Sequence, residues 1–146
     1  MVKKFIFGLI VFLGTVFVCA AENEDETVAR AKYDVEIKKL AAEMNSSCGT
    51  SIEAKIDWDS FSGSEWNDYS VPSFCGEPLE ELTDFCSAEK GNSKAYIRKR
   101  VKSVTCLYGG EGKRELQIDN GDIKNIVDFK ASNLKKFIHA ALIKDL

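Results

Sequence analysis

Four cysteines, Cys48, Cys75, Cys86 and Cys106, follow a leader-like N-terminus, and this pairing of features constrains the chain more than any other. Lys3 and Lys4 precede an apolar run from Phe5 to Val18, and the small residues Cys19, Ala20 and Ala21 come before Glu22. A positive start, an apolar core and an A-x-A-like end describe a secretory signal peptide cleaved after Ala21. The run is shorter than the roughly 20 apolar residues that span a bilayer. Lipidation of Cys19 would want a small residue where Val18 stands, so residues 1–21 read as a removed leader. Residues 22–146 then form one domain, large enough to bury a true core, in a periplasmic or secreted product.

In an oxidising compartment an even number of cysteines predicts two disulfides, and four cysteines allow three pairings. Their spacing matches no zinc ribbon, and the chain contains no C-x-x-C. No cofactor or metal is expected. The full chain carries 20 Lys and Arg against 23 Asp and Glu, and losing Lys3 and Lys4 with the leader makes it more acidic. That balance argues against nucleic acid and against anionic lipid as partners. No segment after the leader is long and apolar enough for stable membrane insertion.

Hydrophobic periodicity supplies the elements. Asn23 and Glu26 suit a capping box, and Ala29, Tyr33, Ile37, Leu40 and Met44 form one stripe of a helix over about Asp25 to Met44. Ile52, Ala54, Ile56 and Trp58 alternate with polar residues, as in a strand with one buried face. Pro78 suits a first helical turn, with acidic Glu77, Glu80, Glu81 and Asp84 nearby and Leu79, Leu82 and Cys86 on one face. Ser93 to Arg98 has helical character, and Val101 to Tyr108 is β-rich, which places a change of period near Lys99. After the glycines 109, 110 and 112, Leu116 and Ile118 lead to Asn120-Gly121, a strong hairpin signal, and Ile123, Ile126 and Val127 continue beyond it. Leu134, Phe137, Ile138, Ala141 and Leu142 mark a final helix.

The expected fold is therefore α+β in the order α-β-α-β-β-β-α, a four-stranded antiparallel sheet with helices packed on one side. Cys86 on the inner face of its helix is expected to pair with Cys106 in a strand below it, and Cys48 with Cys75 in flanking loops.

The functional candidates are few. The stretch from Ser60 to Cys75 has a loop composition yet carries aromatics, and Trp58, Phe61, Trp66 and Tyr69, interleaved with Asp57, Asp59, Glu65 and Asp68, either offer ring faces and carboxylates to a ligand or fold inward over one end of the core. The EF-hand pattern fails, because Phe61, Ser62 and Asp68 stand where an oxygen ligand, Gly and Glu belong. Lys94, Arg98, Lys99, Arg100 and Lys102, with Tyr96, form a basic cluster that serves either as an anion dock or as a solvated face paired with its own carboxylates. His139, the sole histidine, sits beside Lys135 and Lys136 and reads as a surface residue rather than a general base. The Asn45-Ser46-Ser47 sequon matters only in a source that glycosylates exported chains. The leading functional expectation is an exported, non-enzymatic module that binds a protein or cell-envelope ligand through the aromatic loop, as an inhibitor or adaptor. The competing classes are a small envelope hydrolase using paired carboxylates, such as Asp57 with Asp59 or Glu80 with Glu81, and a structural accessory protein without a discrete ligand.

Overall fold

A computed structural model describes residues 24–61, 66, 69–88 and 93–145, so the expected leader and the expected Asn23 cap lie outside the described residues. Helix α1 spans Glu24–Cys48 and buries Ile37, Ala41, Met44 and Cys48, with Ala29, Tyr33 and Leu40 packed beside them. It runs one turn beyond the expected end and stops where Gly49 takes a φ of 67°. There the Gly49 and Thr50 N–H groups both donate to the Asn45 carbonyl, closing the helix end. The Asn45 side chain completes the junction: its Nδ2 donates to the Ile52 carbonyl at 2.9 Å, and its Oδ1 accepts from the Ile52 N–H at 2.8 Å. The sequon asparagine is thus committed to holding the first strand against the end of α1.

Strand β1 spans Glu53–Ile56, a 3-10 turn covers Trp58–Ser60, and helix α2 spans Val71–Ser87. The sequence placed Pro78 in the first turn of this helix, but Pro72 holds that position and Pro78 lies inside. An internal proline has no N–H for the carbonyl four residues earlier, here Phe74. Asn125 of the fourth strand, fully buried, supplies the missing donor: its Nδ2 lies 3.0 Å from the Phe74 oxygen. We expect Asn125→Leu to cost about 1–3 kcal/mol, the usual penalty for a buried acceptor left without a donor. A Pro78→Ala background restores the helical N–H and should recover at least about 1 kcal/mol of that cost in a double-mutant cycle. Strictly additive losses in urea melts would show that Asn125 does not serve this carbonyl.

Helix α3 spans Ser93–Arg100, an element the expected order lacked, and it is followed by β2 (Ser103–Tyr108), β3 (Glu115–Asp119), β4 (Asp122–Val127) and α4 (Leu134–Asp145). The sheet order is β1-β2-β4-β3. It is mixed rather than antiparallel: β1 pairs with β2 and β2 with β4 in parallel, and only β3 and β4 are antiparallel. Two connections explain the difference. The path from β1 to β2 passes through α2 and α3, the kind of crossover that parallel neighbours require. The path from β2 to β3 crosses the end of β4, where the Gly109 N–H donates to the Val127 carbonyl and the Gly112 N–H to Asp128 Oδ2. Gly110 and Gly112 there take φ values of 85° and 78°. Strand β4 consequently slots between β2 and β3. The Asn120-Gly121 hairpin is as expected, with φ of 51° and 96°.

Packing on one side holds. Ala54, Val104, Ile123 and Ile118 lie in one register row, and Ile56, Cys106, Asn125 and Leu116 in the next, all beneath the helices. Lys55, Thr105, Lys124 and Gln117 form a polar row on the opposite face.

The disulfides are Cys48–Cys86 and Cys75–Cys106, with Cα separations of 5.1 and 5.3 Å. This corrects the expected pairing of Cys48 with Cys75 and Cys86 with Cys106. The earlier start of α2 is the reason, because it places Cys75 and Cys86 in one helix about three turns apart and on the same face. Cys86 meets the end of α1, and Cys75 meets β2. Sulfur does pin this helix to that strand, through the other cysteine.

Candidate functional site

Parallel pairing brings the carboxyl ends of β1, β2 and β4 to one edge of the sheet, the edge at which open sheets with parallel strands usually hold ligands. The aromatic residues gather there. Trp58 follows β1, Tyr108 ends β2, and Phe129 follows β4. Phe129 stacks with Tyr69 and with Tyr108, each at 5.1 Å between ring centroids and within 14° of parallel. Trp58 packs at 5.3 Å on both Phe61 and Trp66. Helix α1 closes the far side: Trp58 Nε1 donates to Asp34 Oδ1 at 3.0 Å, and the Arg30 guanidinium lies 5.5 and 5.7 Å from the Trp58 and Trp66 rings. Ser60 Oγ fastens the loop to β2 by accepting from the Tyr108 N–H at 3.0 Å.

Of the four ring residues singled out in the sequence, Phe61 and Trp66 are core, 3% and 1% exposed. Trp58 and Tyr69 stay half-buried. Asp57 is half-buried and Asp59 exposed, whereas Glu65 and Asp68 lie outside the described residues.

Tyr69 opens onto a cleft of about 450 Å³ whose other walls are Tyr108, Phe129, Gly110, Glu111, Asp128 and Lys130. The polar rim is hydrogen-bonded to the backbone around it. Asp128 accepts the Gly112 N–H at 2.9 Å through Oδ2 and the Lys130 N–H at 3.0 Å through Oδ1. Lys130 Nζ meets Glu111 Oε2 at 3.0 Å, and that hydrogen bond raises the lysine pKa above its ordinary value. The rim residues after β4 escaped the sequence reading because only the crossing of the β2–β3 loop brings Glu111 beside Asp128 and Lys130.

The basic cluster lies at the other end of β2, on α3 and the residues just after it. Lys94, Arg98, Lys99, Arg100 and Lys102 are all exposed. Lys94 and Arg98 lie over Gly49, where they complement the carbonyl end of α1. The Arg100 guanidinium sits 4.8 Å from the Tyr96 ring.

A third constellation joins α2 to α4. Glu81 is 2% exposed, and its Oε2 lies 2.7 Å from His139 Nδ1. Its Oε1 is 3.4 Å from Lys135 Nζ, which also donates to Asp84 Oδ2 at 3.2 Å. The bonds to Asp84 and then Glu81 raise the Lys135 pKa, so this contribution to stability is present below about 10.5 and is lost only as pH rises through the still higher folded-state value. Lys135 therefore stays charged beside Asp84 and Glu81 at neutral pH. The Phe85 ring stacks on the imidazole at 5.1 Å. Sequence spacing gave the charges of these residues and not their meeting, which depends on how α4 crosses α2.

Among the described residues no group of three or more His, Cys, Asp or Glu side chains is arranged to hold a metal ion, and no helix is long and apolar enough to cross a membrane. No protein-family model matches the sequence, and neither the curated proteins nor the solved structures include a significant match to it.

Proposed function

We propose that this protein is an exported binding module, periplasmic or secreted, that holds a protein or cell-envelope ligand in the cleft beside Tyr69, as an inhibitor or adaptor. The observation that carries this is the stacked set Tyr69, Phe129 and Tyr108 forming one wall of a cleft of about 450 Å³ with a polar rim. Flat rings supply contact area at low entropic cost, and placed polar groups supply orientation. Both Asp128 oxygens already accept backbone hydrogen bonds and Glu111 is paired with Lys130, an arrangement suited to recognition rather than to general acid and base work. Two disulfides fit an oxidising compartment.

The test is capture from envelope extract on immobilised wild-type protein, Tyr69→Ala and Lys130→Glu. Lys130 is exposed, so its reversal should leave the melting temperature unchanged. A component retained by wild type and depleted about tenfold or more by each variant is the expected result, as for loss of a central contact. Identical profiles on all three columns would overturn the proposal.

A further inference from the structure

We propose that the cleft between α2 and α4 is a second ligand site, in which His139 and Lys136 hold the carboxylate of a small organic acid whose apolar body lies on Phe85. The cleft has a volume of about 580 Å³, and Glu81, Asp84, Phe85, Ala88, Asn133, Lys135, Lys136 and His139 line it. Its chemistry is set by the buried carboxylate beneath the imidazole. Beside the Glu81 carboxylate Nδ1 is the nitrogen that carries the hydrogen, and Nε2 lies on the edge away from Glu81 in a ring that is 51% exposed and lines the cleft.

The charges facing the imidazole come from both helices. Glu81 and Asp84 on α2 share one cation, Lys135, at 3.4 and 3.2 Å. Lys136 on α4 is exposed and makes no ion pair among the described residues. A ligand carboxylate at Nε2 places the imidazole between two anions, so the ring takes up a proton as the ligand binds. Binding then tightens as pH falls. Phe85 and Ala88 give the cleft an apolar wall that inorganic anions cannot use.

A single histidine makes the experiment direct, because one set of imidazole resonances reports the site. The full chain is titrated with benzoate at about pH 5.5 and about pH 8, either side of an ordinary histidine. The expected result is affinity about tenfold higher at the lower pH and movement of the imidazole resonances as benzoate is added. Acetate and inorganic phosphate should each bind more weakly than benzoate. Lys136→Ala, at an exposed position, should weaken benzoate several-fold without altering the melting temperature, and Lys130→Glu in the other cleft should leave benzoate binding unchanged. His139→Gln, read by benzoate affinity at the two pH values, should abolish the pH dependence. The proposal is overturned if benzoate leaves the imidazole resonances unmoved, or if phosphate matches benzoate and the apolar wall plays no part.

Discussion

Trp66→Ala should destabilise the protein by about 3–5 kcal/mol, the range for emptying a large aromatic site in a core that cannot fully collapse. The indole is 1% exposed and touches Trp58 at 5.3 Å and Tyr33 at 6.0 Å between centroids, so it joins the aromatic loop to helix α1. Its Nε1 is buried with no hydrogen-bond acceptor among the described residues. Trp66→Phe keeps most of the ring and removes that N–H, and should cost less than half as much as alanine. Urea midpoints at constant slope measure both. A Trp66→Ala protein with wild-type stability would show that the ring is not a keystone of the fold and would return it to the list of ligand contacts.

Removing either disulfide should be comparably severe. Bridges separated by 38 and 31 residues in sequence are worth roughly 3–4 kcal/mol each through the unfolded chain they constrain. Cys48→Ala with Cys86→Ala frees the C-terminal ends of α1 and α2 from one another, and Cys75→Ala with Cys106→Ala frees α2 from the sheet. With both absent, the loss approaches the whole stability of an ordinary domain, about 5–15 kcal/mol, and the chain should not fold. Reductant titrated against near-ultraviolet circular dichroism gives the loss, and non-reduced peptide maps give the connectivity. A peptide joining Cys48 to Cys75 would contradict the architecture described above.

Much of the fold was legible because the signals were local. The stripe Leu134, Ile138 and Leu142 needs only helical periodicity, and the two central residues of the β3–β4 turn carry their conformation in their side chains. The inward packing of Phe61 and Trp66 was one of two outcomes that composition allowed, since rings suited to a core and rings suited to a partner look alike in sequence. What failed to show was nonlocal. Pro72 and Pro78 both fit a first helical turn, and the choice between them rests on an asparagine from a strand much later in the chain. The disulfide pairing followed from that choice, and the lie of the sheet from the crossover through α2 and α3 and the loop that crosses β4. The Glu81–His139 contact joins residues 58 apart, beyond the reach of any spacing rule.

The position of both central cysteines within α2 also bears on which thiols can pair. In an unstructured chain Cys75 and Cys86 are the nearest neighbours in sequence, and kinetics would join them first. Once α2 has formed, its rise holds them about 16 Å apart, well beyond the roughly 7 Å within which a bridge closes. A formed α2 therefore excludes a Cys75–Cys86 bridge and leaves each of these thiols only a mate on another element, Cys86 on α1 and Cys75 on β2.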